Sequence, residues 1–270
     1  MEWDPRCLER SPIFAPLLPS APARGPDWPL PAGLQRALET RVPPVRNARG
    51  LPLAIVPPGP RRGGFAAGYE ARLFLEGALA VRPGDWHDYF NVLAWLAFPR
   101  AKAALNARHH AALARQHAAR SRNRDPVRDA LTLLDESGVI VTASDDALLD
   151  LLRGWRWKEL FWTRRADVAA RMRFFVLGHA IYEKALRPFL GMTSRGPLLK
   201  VEPGLLAAPL PEQLAAVDAL TASWISDPRH LGSTRELAVV PILGVPGWHP
   251  DNAREEFYDN TDYFRPARRA

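Results

Sequence analysis

Cysteine is nearly absent: Cys7 is the single one among 270 residues. That excludes an intramolecular disulfide framework and any zinc site built from several cysteines. Cys7 precedes all periodic structure and reads as a packing thiol rather than a nucleophile. Long apolar runs are missing too. The longest, such as 237–245, are short and broken by Pro and Gly, so none spans a bilayer. The first residues, Met-Glu-Trp-Asp-Pro-Arg, lack the basic and apolar regions of a secretory signal, which predicts a cytoplasmic protein with no membrane partner. No internal repeat is visible, and no linker is long or polar enough to divide domains.

What is present is an ordinary hydrophobic fraction, 47% with nine Trp, in a chain long enough to bury a sizeable core. The formal charge of +7 suggests an anionic partner. Net charge speaks to non-specific association rather than to a site, and Arg265, Arg268 and Arg269 supply part of it from the extreme C-terminus. Proline is concentrated: 14 of the 27 fall in residues 1–60, separated by short apolar clusters. Each Pro removes a donor and restricts its predecessor, which excludes long helices there. The apolar clusters predict an arm packed along the body, with one short helix at 32–41 and a strand at 51–56. The Arg61-Arg62-Gly63-Gly64 loop lacks the strand–Gly–Lys–helix setting of a phosphate cradle.

The densest polar chemistry lies in the 27 residues from Pro83 to His109, which hold two His, two Asp, two Asn and two Trp. Asp85 reads as an N-cap with Asp88 three residues on. His87, Asn91 and Trp95 recur at i, i+4 and i+8 on one helical face. Phe98-Pro99 breaks the helix, and a long, Ala-rich, basic helix follows to about residue 120. Tyr69–Gly77 predicts a helix stopped at Gly77 that turns Glu70 inward. The apolar runs on either side of Asp135-Glu136-Ser137-Gly138 predict a β-hairpin whose two acids are solvent-exposed turn residues. A helix capped at Ser144-Asp-Asp runs through Arg153. Residues 167–186 predict one amphipathic helix with His179 and Glu183 a turn apart, and 211–226 predict another.

Taken together, several blocks resemble one family. They are Tyr69-Glu-Ala-Arg72, Trp86-His-Asp-Tyr-Phe-Asn91, Phe98-Pro-Arg-Ala-Lys102, Asn106-Ala-Arg-His109, Leu131–Val141, Trp157-Lys-Glu-Leu-Phe-Trp162, Gly178-His-Ala-Ile-Tyr-Glu-Lys-Ala-Leu186, Gly244-Val-Pro-Gly-Trp248 and Phe257-Tyr-Asp259. The resemblance is to the bacterial domain of unknown function 3025. It implies a single-domain protein and no assigned activity.

Each cluster has a competing structural use. His87, Asn91, Asn106 and His109 converge if the Phe98-Pro99 break folds the two helices side by side; otherwise they satisfy backbone groups. The His-Asn-His order resembles the endonucleases of that name, but 131–153 carries acids and no His, which excludes them. His179 and Glu183 are not a His-Glu-x-x-His pair, so the zincin reading fails. Trp155–Trp162 alternates aromatic and charged residues and suits either a core or a base-stacking surface.

The expectation is an α+β fold: a mostly helical single domain over 61–270 with a small antiparallel hairpin or sheet, and a Pro-rich extended N-terminal arm over 1–60. Two functional classes compete. One is a hydrolase acting on a phosphate-containing or other anionic substrate, with His87, Asp88, Asn91, His179 and Glu183 as catalytic candidates. A divalent metal on His87, His109 and His179 is its candidate cofactor. The other is a non-catalytic nucleic-acid-binding or ribonucleoprotein-associated module using Arg100, Lys102, Asn106, Arg108 and Lys158.

Overall fold

A computed structural model describes residues 1–59, 65–120 and 125–266. The predicted Arg61–Gly64 loop and two of the three C-terminal arginines, Arg268 and Arg269, lie outside the described residues. The fold is α+β and mostly helical, with small sheets of two and three strands.

The arm carries a short 3-10 helix at Pro12–Ser20, the geometry left open by its recurring prolines, then α1 (Pro31–Thr40) and β1 (Ala54–Val56). Its apolar residues are buried: Cys7, Leu8, Ile13, Phe14 and Leu17 share the core of the rest of the chain. Helix α2 (Tyr69–Glu76) ends at Gly77, whose φ of 74° is the left-handed cap that glycine adopts without strain. Strand β2 (Ala78–Ala80) pairs in parallel with β1 and ties the arm to the body.

Helix α3 (Trp86–Ala97) starts where expected, with the Asp85 side chain accepting from Asp88 N–H. It is buried almost all round. Trp3 of the arm stacks on Trp86 at 5.2 Å between centroids, Trp28 packs on the same ring tilted at 4.7 Å, and Phe14 stacks on Phe90 at 5.8 Å. Helix α4 (Pro99–Ala118) begins at the predicted break. Its first N–H groups are capped from a distant element: Asp218 accepts from Arg100 N–H at 3.1 Å and Ala101 N–H at 2.8 Å.

The next segment departs from expectation. Residues 131–137 belong to helix α5 (Pro126–Ser137), and only β3 (Val139–Ala143) is a strand. Asp125 caps the helix by accepting from Val127 N–H, Pro126 occupies its first position, and Ala130, Leu131 and Leu134 bury one face. Helix α6 (Asp146–Arg153) follows, capped by Asp145, and a π-helical turn spans Glu159–Thr163.

The predicted helix over 167–186 divides into α7 (Arg165–Arg171), β4 (Met172–Val176) and α8 (His179–Ala185). The sequence Met-Arg-Phe-Phe-Val is β-prone, and the β3 edge offers its backbone a ladder partner. Strands β5 (Thr193–Gly196) and β6 (Leu198–Lys200), helices α9 (Pro203–Ala207) and α10 (Leu210–Ser226), and β7 (Ala238–Pro241) complete the chain. Strand β3 lies between antiparallel β4 and parallel β6, while β5 and β7 form a separate antiparallel pair. Among the described residues no helix is long and apolar enough to cross a membrane.

Candidate metal centre

The β3–β4 register builds the centre. Val139 pairs with Val176, so the chain just before β3 lies against the chain just after β4. Gly138 carbonyl accepts from both Leu177 and Gly178 N–H at 3.0 Å. A Cβ on Gly178 would stand 2.6 Å from the Glu136 carbonyl, so only glycine allows this approach. Glu136, in the last turn of α5, thereby meets His179, the first residue of α8. Helix α3 packs on α8 and brings His87 from its first turn.

His87 Nε2 and His179 Nε2 face each other at 3.0 Å. Glu136 Oε2 lies 3.8 Å from the first and 3.6 Å from the second. One ligand atom from each of the three residues falls within 4.8 Å of the others. Each imidazole has a carboxylate behind it. His87 Nδ1 is 3.3 Å from Glu183 Oε2, and His179 Nδ1 is 3.8 Å from Asp135 Oδ2. An ionised carboxylate only accepts, so Glu183 favours the proton on His87 Nδ1 and a lone pair on Nε2. The Asp135 charge, 3.8 Å away and without a hydrogen bond to the ring, biases His179 the same way electrostatically. Two Nε2 lone pairs aimed at each other repel unless a proton or a cation lies between them.

Burial differs sharply across the site. The His179 side chain is 4% exposed, whereas His87 is 32% and Glu136 38% exposed, so the centre is open on one side. Burial, reinforced by the nearby Lys102 ammonium, pushes His179 down to about 3, which keeps the ring neutral. Burial raises the Glu136 carboxyl above its ordinary value. Burial also opposes the charge on Asp135, but the charge and hydrogen bond of Lys102, with His179 and His109, together outweigh it and lower that carboxyl to about 2. Lys102 is itself 3% exposed and bonds Asp135 Oδ1 at 2.5 Å.

Among the sequence candidates, His87, His179 and Glu183 come together. His109 does not join them: it is buried beside Lys102, Asn106 and Asp135, outside the set of converging donors. Asp88 is held by Arg82, accepting from its backbone N–H and from Nε at 2.7 Å and from Nη2 at 2.8 Å. Burial pushes the Asp88 carboxyl up, but these bonds outweigh it and keep it below its ordinary value. Asn91 donates to Tyr69 Oη at 2.8 Å, and Asn106 donates to Glu70 Oε2 at 2.7 Å. Burial and the Asp135 charge raise Glu70 to about 7.

The basic candidates are dispersed. Lys102 is buried against Asp135. Arg108 Nη1 donates to the Ile225, Asp227 and His230 carbonyls and so pins the end of α10. Lys158 pairs with Glu255 and Asp259. Arg100 is exposed, and its N–H is capped by Asp218. These side chains do not form one basic face.

Asp135 and Glu136 were missed as site residues because 131–141 read as a hairpin. The Asp125-Pro126 start and the i, i+4 spacing of Ala130 and Leu134 were the signals for a helix ending at the centre.

A family model described as protein of unknown function (DUF3025) matches residues 60–268. No curated protein and no solved structure matches the chain.

Proposed function

The chain belongs to the DUF3025 family, and we propose that it holds a divalent transition metal between His87, Glu136 and His179 and uses it to activate water for hydrolysis. The observation that carries this reading is the convergence of both Nε2 atoms and one Glu136 oxygen, with a carboxylate behind each imidazole. Two metal–nitrogen bonds of about 2.1 Å separate their nitrogens by about 3.4 Å at a tetrahedral angle and about 3 Å at the right angle of an octahedral centre. The latter is the spacing between His87 and His179. Two histidines and one glutamate leave coordination positions for water and substrate, as catalytic zinc sites require. The outer carboxylates would orient the rings and raise their basicity as ligands.

Charge supports the same reading. Glu136, Glu183 and Asp135 bring three carboxyl groups around the two rings, and Lys102 pairs with one of them. A dication would neutralise the remainder and would remove the lone-pair repulsion between the rings.

Bound metal would lower the pKa of its water toward neutrality and polarise a substrate carbonyl or phosphoryl oxygen. The chain's own residues would do the rest: Glu183 keeps the His87 Nδ1 proton in place, and the exposed Lys184 and Arg82 flank the open side. Lys184 acts on Glu136 and Arg82 acts on Glu183 electrostatically. Arg82 is already paired with Asp88 and Asp85, so Lys184 is the cation that favours a phosphate-containing or other anionic substrate.

The test is metal analysis of untagged protein followed by calorimetric titration of chelated protein with Zn²⁺, Mn²⁺ and Fe²⁺. One ion per chain, lost in His87→Gln and His179→Gln, supports the centre. Hydrolysis of phosphoester and amide substrates restored only with that ion supports the enzyme. Equal metal uptake by wild type and both variants would sink the reading, leaving His87 and His179 as an imidazole–imidazole hydrogen bond.

A further inference from the structure

Away from that centre, two cavities share three lining side chains. The larger, about 590 Å³, lies among the end of α6, the end of α10 and the β5–β7 pair; the smaller is about 250 Å³. Trp155, Arg195 and Val239 line both, so the two form one groove with Trp155 at the divide. Trp224 lines the larger cavity, stacked on His230 at 4.7 Å, and Trp157 lines the smaller, 5.8 Å from Trp155.

Trp155 is held in an unusual way. It follows α6 in the position that glycine commonly takes: Arg156 N–H bonds Leu151 carbonyl, and Trp155 has a φ of 55°. A bulky residue in that left-handed region is an outlier that the surroundings must maintain. Its indole is only partly buried, so this backbone presents an aromatic surface to the groove.

The charge around these rings is positive. Arg153, Arg195 and Arg235 line the larger cavity against one acid, Glu236, which is engaged in capping Ser233 N–H. Arg153 pairs with Asp150. Among the described residues no carboxylate pairs with Arg195 or Arg235. The smaller cavity is lined by one acid, Asp262, and by two arginines, Arg195 and Arg265.

We infer that this groove binds a nucleotidyl unit, with a base stacked on Trp155 and Trp224 and its phosphate held by Arg195 and Arg235. Indole faces take any base without reading its edges. Guanidinium forks match phosphate oxygens in two-pronged geometry, and an uncharged aromatic or sugar would leave both arginines unneutralised. The unit comes either from a free mononucleotide or from single-stranded nucleic acid, whose successive bases would occupy the two cavities on either side of Trp155. None of this involves the metal centre, so the two readings stand or fall separately.

The test uses the full chain at low salt. Fluorescence anisotropy follows a 5′-labelled single-stranded RNA dodecamer, with AMP, ATP and a duplex of the same length as competitors. Binding should weaken at least tenfold in R195Q/R235Q, and its dependence on salt should become shallower as fewer counterions are released. Trp155→Phe should keep most of the affinity, while Trp155→Ala loses about tenfold. If Trp155→Ala fails to fold, the arginine pair, with Arg235 exposed, decides the matter. Competition by AMP or ATP identifies the free nucleotide as the source; competition by unlabelled single strand alone identifies the strand. The inference is overturned if neither strand nor nucleotide binds, if R195Q/R235Q binds as wild type does, or if duplex competes as well as single strand.

Discussion

His87 Nε2 lies 3.0 Å from His179 Nε2 although the residues are 92 apart in sequence. Neither side chain is free to place itself. His87 is fixed by the capped first turn of α3, and His179 by the strand β4 that runs into α8. The carboxylates behind them decide which nitrogens converge, so the pair is set by four elements at once.

Glu136 and Glu183 should therefore differ in their effects. Glu136→Gln removes a proposed ligand and is expected to reduce metal affinity by at least two orders of magnitude. Glu183→Gln removes only the partner of the His87 ring and should cost about 10–100-fold. Calorimetric titration of both variants reads the difference. Equal losses would show that the two glutamates share one role.

Lys102 is the sole described cation bonded to Asp135, and both are largely buried. Lys102→Met should destabilise the fold by roughly 3–5 kcal/mol, since it leaves a buried carboxylate unpaired. Combining it with Asp135→Asn should recover part of that loss. Urea denaturation of the single and double variants measures the coupling; strictly additive losses would argue against it.

Phe14 of the arm stacks on Phe90 of α3 and on Tyr182 of α8, at 5.8 Å in each case. It thus joins the two helices that supply His87 and His179. Phe14→Ala should cost about 3–5 kcal/mol of stability and weaken metal binding as the helices loosen. Removing residues 2–30 should do more. A truncated chain with an unchanged melting temperature would mean the arm contributes nothing to the body.

Asp218 provides a pH test remote from the centre. Burial raises its carboxyl to about 6, against the opposing effect of its bonds from Ala101 and Arg100 N–H. The folded state therefore holds more protons than the unfolded chain between about pH 4 and pH 6. Stability contributed by this group is present below pH 4 and lost as pH rises toward 6, on the order of 3 kcal/mol in all. Asp218→Asn should flatten that part of the stability profile. An unaltered profile would locate the titration elsewhere.

How much of this was legible beforehand depends on how local each signal was. The α3 start at Asp85, the break at Phe98-Pro99, the Gly77 cap and the α10 span follow from caps, prolines and glycines, which act within a few residues. The identity of His87, His179 and Glu183 as partners was readable as residue type but not as geometry. Their meeting depends on β3 pairing with β4, and residues 172–176 lie inside a stretch whose composition also suits a helix. Only a neighbouring strand edge resolves that ambiguity, because β pairing is a contact between distant segments. Glu136 ends a helix whose start signals were local, but it meets two imidazoles only because β3 pairs with β4. Packing of α4 against α5, equally long-range, draws Lys102 into a buried pair with Asp135. Sequence alone determined the element types with strong local punctuation and the chemistry available. Tertiary structure decided which carboxylate stands behind which histidine, since burial and packing, not spacing along the chain, set those distances.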